Sequence, residues 1–302
     1  MRFVLLGLFP CVVLAATLED FSVYAIRSIR LGDARVPQGS DIRGRLASAG
    51  EISLSNLSVS APSGESDDRM IVAGTKIQLK HVVVEDGGFE AGGDVEIEDS
   101  TVNGDVWSGG SFRGERSAVK GLVRYSVSYR VQKFTTEGKR QRDFSQSFGY
   151  AALNRELRAR SETYAKLKGA PLRNGGKGRY LCVEESANPI VCDVPAKMLE
   201  LAKELVFQGR EGRHFIVNVA GKEAKLSFKS TFLDEDGKAL DPRETEGAVH
   251  WNFRSAKKIS LRKVEMPGTL LAPEATVIGD EFSRVRGRAH VGAFEGQARV
   301  GF

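Results

Sequence analysis

A short glycine phrase recurs along this chain: AGEISLSN from Ala49, AGTKIQLKH from Ala73, AGGDVEIED from Ala91 and SGGSFRGER from Ser108. The starts lie 24, 18 and 17 residues apart. A unit this short cannot bury an apolar face alone, so successive copies must stack. Within the copies, Ile77-Gln78-Leu79 and Val95-Glu96-Ile97 alternate with a period of two, which makes the stacked unit a strand. Short strands that turn at glycine, one rung per 17–24 residues, predict a mainly β chain wound as a β-solenoid (β-helix). The glycines are read as tight turns, needing either positive φ or close backbone approach.

The period changes after the repeats. Between residues 143 and 168, Phe144, Phe148, Ala151, Ala152, Leu157, Tyr164 and Leu167 recur at helical spacing, with Asp143 as N-cap and Gly169 as stop. Before it, residues 122–133 alternate as one strand leaving the repeats. Beyond it, residues 180–183 and 190–192 suit a hairpin. Pro195 opens a second helix carrying Met198, Leu199, Leu201, Ala202 and Leu205, ended by Gly209. From His214 strands return to the end. The expected organisation is one composite domain over residues 17–302 with a helical insertion at about 134–210, packed on the side of the solenoid.

Residues 1–16 have the form of an export signal: Arg2, an apolar run, then small residues at 15–16. Cys11 lies inside that run, which leaves Cys182 and Cys192 in the mature chain. In an exported protein such a pair predicts a disulfide. A metal pair would need two further ligands, and no His lies between them. No metal or other cofactor is expected, and no segment of the mature chain is apolar enough to span a membrane.

Charge is uneven. Residues 133–179 hold twelve Lys or Arg against four acids, within a chain of net charge +5. Arg155, Arg158, Lys166 and Lys168 on the expected helix are therefore candidates for contact with an anionic surface polymer. No nucleic-acid partner is expected. The acids Asp94, Glu96, Glu98, Asp99 and Asp105 crowd one rung, and a solvated strand face accounts for them better than a calcium site. The four histidines share no metal spacing, and no nucleophile elbow, phosphate loop or HExxH is present.

Several phrases in order resemble the choice-of-anchor A family of bacterial adhesive domains. Residues 21–24 (FSVY) open the domain, and 40–47 (SDIRGRLA) resemble the family's "SDVEGRVA" rung. Residues 91–106 resemble its "GGN" rungs, and 142–167 its "DFxxAFxxLxxLS" helix. Residues 215–221 match its "INVSG" strand. Trp251-Asn252-Phe253, GTLLAPEATV at 268–277 and the closing Gly-Phe match its C-terminal signature. The resemblance covers about residues 20–302 and implies surface display and adhesion. The chain stops at Phe302 without a sorting motif or apolar tail, so covalent wall anchoring is not expected.

The expected function is an exported, non-catalytic, adhesin-like domain, secreted or at the cell surface, with the periplasm as the other compartment. It would bind an extracellular or envelope polymer or a partner cell. The alternative is a polysaccharide-active β-helix enzyme, which would gather acids and bases from separate rungs into one cleft. Ice binding wants a flat array of Thr at strand spacing, and Thr here is sparse.

Overall fold

The computed structural model describes residues 16–32, 40–61, 69–142, 148–183, 188–209, 212–240 and 247–301. Most of the expected export signal, and Asp143 and Phe144 of the expected helix, lie outside these residues.

The chain is mainly β, with one long helix. Its first strand, Val23–Leu31 (β1), runs parallel to Leu46–Ser48 and Glu51–Ser60 on one side and to Arg284–Gly296 on the other. The stack therefore begins in its own middle. From β1 the rungs step outward through Leu46–Ser48, Arg69–Ala73, Gly88–Ala91, Val106–Ser108, Ala118–Tyr125 and Thr135–Gln141. The helix Tyr150–Lys166 (α1) then runs along the side. The chain re-enters at the far end and coils back through Ile190–Pro195, Phe215–Ala220, Val249–Asn252 and Glu265–Gly279 to Arg284–Gly296, against β1. Every ladder in this 23-stranded sheet is parallel among the described residues.

Alternation decides what each rung buries. In Glu51–Ser60, Ile52, Leu54, Leu57 and Val59 point inward, and the phase shifts at Asn56, where the chain turns a corner. Inward residues stack on their counterparts: Ile29, Ile52, Ile77, Val95 and Phe112 form one aliphatic-to-aromatic column. At the open end of the N-terminal half, Tyr125, Tyr129 and Phe134 close over Phe112. In the C-terminal half, Trp251 and Phe253 are fully buried, with Trp251 Nε1 donating to Pro267 O at 2.8 Å.

Two kinds of corner recur. At Gly50, Gly74 and Gly93 an added Cβ would fall closer than 3.0 Å to a carbonyl oxygen of the preceding rung. These glycines are thus required by close backbone approach, not by positive φ. The next corner carries Asn56, His81, Asp99, Arg116 and Lys133, all left-handed at φ 46–53° and none of them glycine. Ser100 and Ser117 follow two of them; Ser100 Oγ accepts from Val82 N, and Ser117 Oγ accepts from Ser100 N, both at 3.0 Å.

Several expected boundaries move. Residues 122–133 are not one strand; they divide between two rungs, and Thr135–Gln141 still stacks on the repeats. Among the described residues, the insertion at about 134–210 is helical only over Tyr150–Lys166 and the short α2, Ala196–Leu201. Leu205 lies instead in the strand Glu204–Gln208, where Val206 and Phe207 favour extended backbone and the run 205–207 pairs with Arg179–Val183. That strand joins Arg173–Gly176, Arg179–Val183 and Lys229–Leu233 in a separate four-stranded sheet. Cys182 and Cys192 form a disulfide with Cα atoms 6.0 Å apart. It does not staple a hairpin: Cys182 is in the small sheet and Cys192 in the large one, so the bond ties the two together.

The glycine corner predicts a sharp contrast. Gly74→Ala should cost about 1–3 kcal/mol through forced rung separation. Gly247→Ala, with nothing within 4 Å of its added Cβ, should stay within about 0.5 kcal/mol of the parent. Urea unfolding of both variants checks this.

Candidate functional site

The solvent-facing side of the N-terminal rungs is a ladder of charge. Lys76 meets Glu96 at 3.0 Å and Lys80 meets Glu98 at 3.2 Å, each across one rung. Arg116 holds Asp99 and Glu98 at 2.7 Å and also pairs with Glu115. The hydrogen bond from Gln78, aided by Lys76, lowers the Glu96 pKa against the effect of its burial. Asp105 pairs with Arg124, and Asp94 accepts from the backbone of Ser111 at 2.8 Å. The crowded acids thus serve as cross-rung ties, and the described residues hold no group of three potential metal ligands.

Trp107 sits between buried Val106 and Ser108, so its ring faces outward. Two guanidiniums flank it, Arg69 at 5.4 Å and Arg124 at 4.7 Å from the ring centre. Arg69 in turn reaches Glu90 at 2.7 Å, a carboxylate only 3% exposed. Burial raises the Glu90 pKa, and Arg69 opposes that shift. Cation–π contact of this kind keeps an aromatic ring ordered at a surface.

α1 shows how the basic segment is used. Its buried face is Leu153, Leu157 and Ser161, at i, i+4 and i+8. Of the expected stripe, Leu157, Phe148 and Tyr164 pack in the cluster beneath the helix, whereas Ala151 and Ala152 are exposed and Leu167 is 38% exposed. Leu153 and Leu157 pack with Phe21, Tyr24 and Leu271. Between them runs a polar seam that apolar spacing does not reveal. Tyr24 OH donates to Asn154 Oδ1 at 2.6 Å, Ser161 Oγ donates to Asn252 Oδ1 at 2.6 Å, and Asn218 Nδ2 donates to Tyr164 O at 2.9 Å. Asn252, in the Trp251-Asn252-Phe253 phrase, faces this seam and bridges to Asn218 at 2.8 Å.

Part of the basic charge holds the helix down. Arg160 pairs with Glu19 and Glu156, Arg254 meets Glu162 at 2.6 Å, and Arg158 meets Glu274 at 3.4 Å. Burial raises the Glu19 pKa, but Arg160 and Arg288 outweigh it and leave the value lowered. Arg155, Lys166 and Lys168 are exposed and make no ion pair among the described residues. Of the four expected contact residues, Arg158 is therefore partly committed and the other three remain open to a partner.

Residues 15–302 match a protein family described as "Putative Ice-binding-like adhesive domain". The chain belongs to this family. Among solved structures, an ice binding protein from an Antarctic bacterium, Flavobacteriaceae, is similar over 93% of this chain and 81% of that chain, at 10% identity and a TM-score of 0.29. A likeness that low carries no argument about function. No curated protein matches the sequence. As a member of an adhesive-domain family, the chain is read through its surfaces, and α1 is the element that shapes one of them.

Beneath α1 lies a group with a distinct pH signature. His290 is fully buried, with Nε2 3.3 Å from Phe21 O, and burial pushes its pKa down to about 4. Burial also lowers the pKa of His250, packed against Tyr164. The unfolded chain binds the His290 proton from about pH 6.5 downward, whereas the folded chain does so only near pH 4. Stability should be level above pH 6.5 and fall by roughly 3 kcal/mol from His290 alone as pH drops to about 4. Unfolding titrations on the parent and His290→Gln should show that loss reduced in the variant.

Proposed function

We propose that this chain is an exported β-solenoid adhesive domain that holds an anionic extracellular or envelope polymer along the α1 side of the stack. The observation that carries the reading is the outer side of α1 and the residues just past its end, where Arg155 and Lys166 on the helix and Lys168 beyond its C-cap Leu167 stand exposed without an ion partner among the described residues. Arg155 and Lys166 are eleven positions apart, roughly 16 Å at the helical rise, a span suited to a repeating charge and not to one small ion. Stacked parallel rungs give α1 a rigid base, and the seam with Asn218 and Asn252 fixes its position.

Other features support the setting. The residues that resemble the choice-of-anchor A family imply display at a cell surface. A disulfide between two buried cysteines suits an oxidising compartment. No helix among the described residues is long and apolar enough to cross a membrane. The family description names adhesion rather than catalysis.

One observation favours a second reading, ice binding. On one flat face Ser58, Val83, Thr101, Ala118 and Thr135 form a single column of small side chains. Thermal hysteresis in the purified protein, abolished by Thr101→Lys, would favour that reading.

Attachment to immobilised polygalacturonate, with neutral dextran as reference, tests the adhesive reading at low ionic strength, where screening is weak. The parent should bind polygalacturonate only and release it as salt is added. The triple variant Arg155→Glu, Lys166→Glu, Lys168→Glu should fold as the parent and lose about tenfold or more in affinity. Undiminished binding by that variant would show that the basic flank is an ordinary solvated surface.

A further inference from the structure

A cleft of about 660 Å³ opens between the edge strand of the small sheet, Lys229–Leu233, and the first residues of Glu265–Gly279 and Arg284–Gly296. Its size is that of a small-ligand site. Lys229, Lys263, Arg284, Arg286 and Arg299 line it, against Glu265 and Glu281. Glu265 is taken by Arg286. Lys229 and Arg284 have no carboxylate partner among the described residues, and Lys263 directs its ammonium at a ring instead of an acid. That ring is Phe282, which is 65% exposed.

The placement of Phe282 is built. It rides on a turn organised by the Asp280 carboxylate, which accepts from Phe282 N at 3.2 Å, Ser283 Oγ at 2.6 Å and Lys263 N at 3.2 Å. Lys263 is itself in the left-handed region at φ 52°, which brings its Nζ to 5.6 Å from the Phe282 ring centre. A fixed, exposed aromatic face at the mouth of a cationic cleft combines two kinds of recognition. The ring offers an apolar platform for the C–H face of a sugar. The ammonium and guanidinium groups attract a carboxylate, and arginine does so with directional hydrogen bonds.

We propose that this cleft binds a carboxylate-bearing saccharide of the uronic acid type, its sugar ring on Phe282 and its carboxylate held by Lys229, Lys263 and Arg284. This deepens the adhesive reading, and rests on it for the source of the ligand: α1 would supply long-range attraction to an acidic polymer, and the cleft would recognise its sugar unit. The two surfaces are separate in the chain and can be disabled separately.

The test uses the full chain and soluble trigalacturonate, too short for many simultaneous contacts along α1, with maltotriose as the neutral reference. Titration calorimetry should show binding of trigalacturonate and not of maltotriose. Phe282→Ala, and separately Lys229→Ala with Arg284→Ala, should each weaken it about tenfold or more. The α1 triple variant should leave it within about twofold, because at short range a distant charge is screened. Phe282 is exposed and Lys229 is a surface residue, so both variants should melt like the parent, and the melting temperature checks this. The cleft proposal is overturned if trigalacturonate fails to bind while the parent still attaches to immobilised polygalacturonate, an outcome that leaves the adhesive reading intact. It is equally overturned if maltotriose binds as well, or if the α1 variant weakens the trimer as much as the cleft variants do. Concentration-dependent dimerisation that Phe282→Ala abolishes would overturn it too, by making the cleft a contact between copies.

Discussion

The structure depends on backbone lying against backbone at the glycine corner. Where Gly50, Gly74 and Gly93 turn the chain, a carbonyl of the preceding rung occupies the space a side chain would need. That contact sets the rung spacing, and the spacing lets each inward residue meet its counterpart one turn away. The column of Ile29, Ile52, Ile77 and Val95 follows from it, as do the outward ties Lys76–Glu96 and Lys80–Glu98. The next corner accepts left-handed residues with side chains, at a cost of roughly 1 kcal/mol each. Arg116 there joins Glu98 and Asp99 of the neighbouring rung and Glu115 of its own.

A coil leaves two ends and one starting point to manage. Placing β1 in the middle makes the N-terminal strand a seam between the halves, paired on both edges. Aromatic residues close one extreme, and toward the other the disulfide ties the small sheet to the rung Ile190–Pro195. α1, which connects the halves, covers the strand face where Tyr24, His290, Leu271, Asn252 and Asn218 follow one another rung by rung. Its packing is half apolar and half hydrogen-bonded. A helix held this way has a single position along the stack, because each amide and hydroxyl must find its partner.

Much of this was legible in the sequence, for a local reason. Gly-plus-alternation is a short-range signal, and the phrases at Ala49, Ala73 and Ala91 carried it without long-range information. The pairing of Cys182 with Cys192 followed from a similarly simple rule. What was missed depends on distant partners. Leu205 has helical spacing to Leu201 but lies in a strand, because Arg179–Val183 and Lys229–Leu233 offer two ladders to the residues around it. The face that α1 buries was read only in part, through Phe148, Leu157 and Tyr164, because half of it is polar. Ser161 and Asn154 are there for Asn252 and Tyr24, more than ninety residues away in the chain. The cleft at Phe282 was invisible for the same reason: its cations come from four separate strands and turns.

One continuous stack of rungs, joined at β1, should behave as a single cooperative unit. Hydrogen exchange followed by mass spectrometry across a denaturant series tests this most directly. Amides of Val23–Leu31 should be among the slowest in the molecule. They should open with the same free energy and denaturant dependence as those of Glu265–Gly279 and Ile77–Val84, as expected when only global unfolding exposes them. Exchange of Val23–Leu31 at a distinctly lower free energy, with the two halves opening independently, would show instead that β1 is a weak joint between separate units.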